Sequence, residues 1–354
     1  LIMANSLFDN ILSADESLFV NELALDFDYL PKELPYREEQ QHYLASCIKL
    51  MLNKKLGKNL LITGSPGIGK TAATKWVLRE LEEKGLDEQV KPVYVNCWKK
   101  DTMHKLLLEI CNQIGYKWVH NKKSDELFKE VCKILNLKSA VIVLDEVDKL
   151  ESEQVIYQLL EELNRKCLFL ITNEKEWLAS LDQRLLSRLL PESLEFKPYN
   201  FKETHGILKL RAEHAFAPKV WQDEAFDLIV QKAHELQDIR AGLYLLRESG
   251  NIAESQASRK IDSQHVKNAL NKLNNFKPIA QDDLSDDEKV ILNLVKEHDG
   301  KAGTDIYTIY KKDNNKSYRT FYRKVKSLAD NGMIKIVEHF TENGGRRSIL
   351  KYNG

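Results

Sequence analysis

Between Leu34 and Phe196 the chain alternates stretches of helical period with short, unbroken apolar runs. The runs are Leu60–Thr63, Val93–Val95, Val141–Leu144, Leu168–Thr172 and Leu194–Phe196. Short runs without polar alternation suit strands covered on both faces. Helical stretches between such strands predict a parallel sheet, because parallel neighbours need a long crossover. The expected fold is therefore α/β, with helices on both faces of the sheet. After Pro198 the runs stop. Residues 200–275 read as four helices, the last capped by Asp262 with Val266, Ala269, Leu270 and Leu273 on one face.

From Phe276 a polar, acidic stretch predicts a linker, and the remaining residues form a third unit with its own pattern. There, Asp286 or Asp287 caps a helix whose inner face is Ile291, Leu294 and Val295. Thr304 or Asp305 caps a second helix that buries Ile306, Ile309 and Tyr310. Ser317 opens a third, turning Phe321, Val325 and Leu328 inward and Arg319, Tyr322, Arg323 and Lys326 to another face. A strand Met333–Phe340, a turn at Asn343-Gly344-Gly345 and a return strand near Ile349–Tyr352 complete it. Three helices and a hairpin make a winged helix, with Arg346 and Arg347 expected at the hairpin tip. The predicted boundaries are an N-terminal segment 1–30, an α/β base 31–199, a helical lid 200–275, a linker 276–285 and the winged helix 286–354.

Composition narrows the class. The chain has 354 residues, 43% hydrophobic and 30% charged, too many for one ordinary core. Apolar runs such as Ala140–Leu144 are strand-sized, so no membrane span is expected, nor does the N-terminus read as a secretory signal. Cys47, Cys97, Cys111, Cys132 and Cys167 are dispersed without metal spacing and read as reduced thiols in a cytosol. The 53 basic and 53 acidic residues cancel, yet from Lys301 onward twelve Lys/Arg face five Asp/Glu. A neutral protein with a basic final unit points to local contact with nucleic acid.

Two motifs carry the chemistry. Gly64-Ser65-Pro66-Gly67-Ile68-Gly69-Lys70-Thr71 follows the first apolar run and opens a helix beginning near Ala72. This is the phosphate-binding loop in the strand–loop–helix context it requires. Glycines let backbone N–H groups converge on phosphate oxygens, the helix N-terminus adds positive potential, Lys70 reaches the β/γ-phosphates and Thr71 binds Mg²⁺. The run Val141–Leu144 then delivers Asp145 and Glu146 at a strand end: Asp145 for the Mg²⁺ shell, Glu146 to polarise the attacking water. Asn173, closing the next run, is placed to touch the γ-phosphate or that water.

The order of these parts resembles the AAA+ ATPases, and finer segments resemble the archaeal origin-recognition and cell-division-control replication initiators. These segments are Tyr29–Glu38, Leu144–Leu150, Leu181–Leu189, Phe196–Tyr199 followed by Arg211, and Asp238-Ile239-Arg240 ahead of Leu245-Leu246-Arg247. The resemblance runs from about residue 25 to the C-terminus. It implies that Pro35, Tyr36 and Arg37 lie beside adenine and that Tyr199 and Arg211 contact the nucleotide where base meets lid. It implies too that Arg240 senses the γ-phosphate, and that Arg188, or else Arg184, is a finger offered to a neighbouring subunit. That family commonly carries Gly-Asp before the lid arginine, where this chain has Gln237-Asp238.

The implied function is a replication initiator that binds ATP or ADP with Mg²⁺, grips origin duplex DNA and uses slow hydrolysis as a switch for helicase loading. Its partners would be double-stranded DNA and helicase or other initiator subunits, and its place the cytoplasm at the nucleoid. Two other classes fit the motifs: a transposition, plasmid or clamp-loader-like AAA+ regulator, and a signalling ATPase whose winged helix makes only protein contacts. The C-terminal winged helix weighs against the former, and an additional repeat or sensor domain would mark the latter.

Overall fold

The structure, a computed structural model, describes residues 17–174, 176–275, 286–314, 316–330, 333–340 and 346–352. The chain divides into two compact units, one ending at Ala269 and one beginning at Leu270.

The first unit opens its base with α1 (Glu38–Leu52), β1 (Leu60–Thr63), α2 (Lys70–Glu83) and β2 (Val90–Asn96). It continues with α3 (Met103–Gln113), α4 (Ser124–Leu135), β3 (Ser139–Asp145), α5 (Gln154–Glu162), β4 (Lys166–Thr172), α6 (Gln183–Leu189) and β5 (Glu192–Glu195). The five strands are all parallel, in the order β2-β3-β4-β1-β5. Alternation along the strands divides the core into two layers. Val141, Val143, Phe169 and Ile171 pack with Leu44, Ile48 and Val77 on the α1/α2 face. Ile142, Leu144, Leu168 and Leu170 pack with Leu106, Ile110, Val131 and Leu159 on the opposite face.

Both margins of the sheet depart from the buried pattern for a reason. β5 begins at Glu192 and ends at Glu195, one residue short of the expected Phe196. As an edge strand it alternates half-buried with exposed residues, although the Phe196 N–H still bonds the Thr63 carbonyl at 2.8 Å. On the other margin Pro92 offers no N–H, and the Tyr94 N–H and carbonyl are both held by the Gln113 amide, at 2.9 and 2.7 Å. These devices blunt an edge that could otherwise pair with another strand.

The helical lid is α7 (Phe201–Ala215), α8 (Asp223–Leu236), α9 (Ile239–Ser255) and α10 (Ser263–Asn275). Asn200 and Glu203 form a capping box at α7, and Asp262 caps α10 by accepting from the Gln264 and His265 N–H groups, as the pattern predicts. The described residues before Asp26 pack on the lid. Leu18, Ala24 and Leu25 are buried, and the Phe19 ring lies 4.6 Å from that of Phe216.

The second unit holds α11 (Asp286–Glu297), α12 (Gly303–Asp313), α13 (Tyr318–Asp330) and the antiparallel pair β6 (Ile334–Phe340) and β7 (Arg346–Tyr352). Its core is Ile291, Val295, Ile306, Tyr310, Phe321, Val325 and Leu328, with Leu294 only partly buried. Three local expectations are corrected. Ala302, not Thr304 or Asp305, stands before α12, and an isolated bridge to Ile349 holds it extended. Asp287 lies inside α11, where its carboxylate accepts from the Tyr310 hydroxyl and pairs with Lys316 instead of capping. The return strand starts at Arg346, so Arg346 and Arg347 pair with Phe340 and His339 in the ladder and do not form the tip. The expected turn at Asn343-Gly344-Gly345 and the linker 276–285 lie outside the described residues.

Candidate functional site

Backbone geometry explains the glycines of the loop. Gly67 and Gly69 take φ of +73° and +91°, values that L side chains rarely adopt. A Cβ on Gly67 would collide with the Asp238 carboxylate, and one on Gly69 with the Tyr199 hydroxyl. The loop thus approaches the lid more closely than any other residue type permits.

Strand order assembles the chemistry. Because β4 lies between β1 and β3, its end places Asn173 between the phosphate loop and Asp145. The buried Lys70 Nζ donates to the Gly64 and Ser65 carbonyls at 2.7 and 2.8 Å and to Asn173 Oδ1 at 2.7 Å. Burial pulls its ammonium down from the ordinary lysine value to about 8; Asp145 opposes this shift and Arg240 adds to it. Asp145 Oδ2 accepts from Thr71 Oγ1 at 2.7 Å and from the Tyr94 hydroxyl at 2.6 Å, while Oδ1 accepts from the Glu146 N–H at 3.0 Å. Burial, reinforced by the Asp145 charge, pushes the Tyr94 phenol well above its usual range, so it remains a donor. Glu146 itself sits at φ +54°, a left-handed conformation that turns the chain sharply after Asp145. Asp148 is tied to the same region through the Thr172 hydroxyl at 2.7 Å.

Lys70, Thr71, Asp145, Glu146 and Asn173 face a cavity of about 580 Å³, within the range of small-molecule sites. Pro66, Gly67, Ile68, Gly69, Lys70, Thr71 and Ala72 line it, as do Asp145, Glu146, Asn173, Tyr199, Arg211 and Arg240. The strap from Phe27 to Pro35, which crosses the expected boundary between residues 30 and 31, lines it as well. Arg211 donates to the Asp26 and Tyr29 carbonyls at 2.8 and 3.1 Å, and Arg79 to those of Leu30 and Pro31 at 3.1 and 2.8 Å. Lid and base therefore both hold the strap. Arginine donors spent on carbonyls leave no pattern in sequence, so nothing local to Arg79 points to this role.

Other expected positions fall outside these walls. Pro35 lines the cavity, but Tyr36 is 40% exposed with its hydroxyl against Gly206. Arg37 is buried beneath the loop, donating to the Ile68 and Lys197 carbonyls at 2.9 and 2.7 Å, its guanidinium 3.8 Å from the Tyr199 ring centroid. It braces the loop from behind. Arg184 and Arg188 lie on α6; Arg188 pairs with Glu161 and stands over the Tyr157 ring. In the second unit Arg319, Arg323 and Lys326 are exposed on α13, and Tyr322 is half-buried, stacked with Tyr318. The side chains of Arg346 and Arg347 lie outside the described part of the structure. Among the described residues no helix is long and apolar enough to cross a membrane.

Residues 54–175 match the family described as an AAA domain, and residues 205–271 match the Cdc6 AAA+ ATPase-type lid domain. The chain is 34% identical over 325 residues to ORC1-type DNA replication protein 1 of Archaeoglobus fulgidus, covering 87% of this chain and 79% of that protein. It is 31% identical to ORC1-type DNA replication protein 2 of Methanosarcina acetivorans, covering 97% and 95%. Among solved structures, the Aeropyrum pernix ORC1 protein in complex with DNA superposes with a TM-score of 0.76 at 26% identity, over 96% of this chain and 95% of that one. The Aeropyrum pernix ORC2 protein in ADPNP and ADP complexes shares the fold, with a TM-score of 0.67 at 21% identity over 95% and 94%. A buried phosphate-loop lysine, an Asp-Glu pair and a Cdc6-type lid meet in one cavity, and with these relatives they place the chain among the archaeal ORC1-type DNA replication proteins, nucleotide-binding AAA+ ATPases of replication initiation.

Proposed function

We propose that this protein is an ATP-switched initiator whose nucleotide state governs how its winged helix is used on origin duplex DNA. The observation that carries the reading is the convergence of Lys70, Asn173, Thr71 and Asp145 at three adjacent strand ends, with Arg240 supplied by the lid. In the nucleotide complex Lys70 exchanges its carbonyl partners for the β/γ-phosphates. Thr71 and Asp145 are hard oxygen donors already 2.7 Å apart, which fits Mg²⁺. The bound ion would neutralise charge on the phosphates. Glu146 polarises the attacking water, Asn173 orients it, and Arg240 couples the γ-phosphate to the lid. Tyr199, Arg211 and the strap flank the base and ribose. Because Tyr36 and Arg37 do not line the cavity, adenine is recognised by Pro35 and the strap. Arg188, or Arg184 beside it, serves as the finger toward a neighbouring subunit, with Glu161 holding Arg188 in the single chain.

DNA binding is proposed for the exposed face of α13, Arg319, Tyr322, Arg323 and Lys326, together with Arg346 and Arg347 on β7. The local excess of basic residues supports this, as does the DNA complex of the Aeropyrum pernix relative. The proposed partners are origin duplex DNA, helicase and other initiator subunits, and the proposed location is the cytoplasm at the nucleoid. The test is duplex binding across a salt series. Arg323→Ala and Arg347→Ala should each weaken binding and flatten the log K against log salt slope by about one. Unaltered slopes in both variants would mean that the winged helix makes protein contacts instead.

A further inference from the structure

Tyr94 has no role in the motifs, yet the structure builds it into the site. It stands on the edge strand β2, and its hydroxyl crosses to Asp145 Oδ2 at 2.6 Å, the oxygen that also accepts from Thr71 at 2.7 Å. The second carboxylate oxygen is taken by the Glu146 N–H at 3.0 Å. Three donors therefore hold one carboxylate. They are not equivalent. The Glu146 N–H belongs to the neighbouring residue of the same strand end, and the Thr71 hydroxyl, which keeps two oxygen lone pairs, is itself a ligand in the phosphate site. The Tyr94 bond comes from β2, and its donor stands outside the phosphate site.

Tyr94 is itself unusually well fixed. Its N–H donates to Gln113 Oε1 at 2.9 Å and its carbonyl accepts from Gln113 Nε2 at 2.7 Å, so α3 clamps its backbone at both points. The Lys75 ammonium lies 4.6 Å from the ring centroid and braces the side chain. A phenol carried on a clamped strand is a rigid lever, and oriented outer partners of a ligating carboxylate set how well it holds a cation.

We propose that Tyr94 is a positioning residue that orients the Asp145 carboxylate toward the divalent cation accompanying the nucleotide, with Gln113 and Lys75 keeping it in place. The proposal rests on the reading of Asp145 as a cation ligand. The function is orientation, since Tyr94 does not line the nucleotide cavity.

The test is Tyr94→Phe in the full chain, which keeps the ring and its packing and removes only the hydroxyl. ADP affinity is measured by calorimetry in EDTA and then across a Mg²⁺ series. Metal-free ADP affinity should stay within about twofold, while the Mg²⁺ concentration for half-maximal enhancement should rise roughly tenfold. Asp145→Asn separates the two readings. If it leaves the Mg²⁺ dependence unchanged, the cation role of Asp145 fails; if it shifts that dependence but Tyr94→Phe does not, the positioning role alone fails. The double variant should need no more Mg²⁺ than Asp145→Asn alone, because the hydroxyl acts through that carboxylate. Additive losses would overturn the proposal.

Discussion

Lys70 makes nucleotide affinity depend on pH in a direction that can be worked from its surroundings. In the free protein its ammonium titrates near 8, held down chiefly by burial. Phosphate oxygens favour the charged form, so its value rises in the complex, and binding takes up a proton between 8 and that higher value. Affinity therefore falls as pH rises through this window. If only the charged lysine binds, the apparent Kd grows by a factor of about 1.1 at pH 7, about 2 at pH 8 and about 11 at pH 9. The change from pH 7 to pH 9 is about tenfold, or about 1.4 kcal/mol. ATP contributes little to it, because the second ionisation of a phosphate group lies near 6. The assay is calorimetric titration of ATP at pH 7, 8 and 9 in two buffers of different ionisation enthalpy. It should show uptake of about half a proton at pH 8 and about nine-tenths at pH 9. Lys70→Arg keeps a permanent charge and should bind, however weakly, with a flat profile. A flat wild-type profile without proton uptake would refute the reasoning.

Lys70→Ala should abolish measurable ATP binding, and retained affinity in the same titration would remove the lysine from the phosphate site. Glu146→Gln should bind ATP normally but hydrolyse it about a hundredfold more slowly, as expected for loss of a general base; unchanged turnover would dismiss that role. Gln237 occupies a left-handed position, φ +52° and ψ +32°, at the C-terminal end of α8. Left-handed backbone costs a non-glycine residue about 1–2 kcal/mol, partly offset by the extra unfolded-state entropy of glycine, so Gln237→Gly should stabilise the protein by about 0.5–1 kcal/mol. A lower midpoint in urea denaturation would contradict this account.

Much of the fold was legible because its signals are local. Unbroken apolar runs marked the buried strands, since a strand covered on both faces has no reason to alternate. Asp262 and Ser317 announced their helices through short-range hydrogen bonds that the sequence carries entirely. The glycines and Lys70 of the phosphate loop were readable for the same reason: eight consecutive residues contain the whole device. Where local signals were weak, expectations slipped. The edge strand β5 and the start of α12 are set by what they pair with, not by their own composition.

Chemistry that depends on strand order was not legible in this way. The sequence alone determined that a phosphate loop, an Asp-Glu strand end, a helical lid and a basic unit of three helices and two strands occur together, because each is encoded by residues close in the chain. Only the tertiary structure decided that β4 inserts between β1 and β3 and brings Asn173 to Lys70, 103 positions apart. It also decided that Tyr94 reaches Asp145 from the sheet edge, and that Arg37 and Arg211 spend donors on backbone carbonyls. The physical reason is common to all three. A buried polar group must find a partner, and which partner is near is set by the order in which strands and helices pack, not by neighbours in sequence.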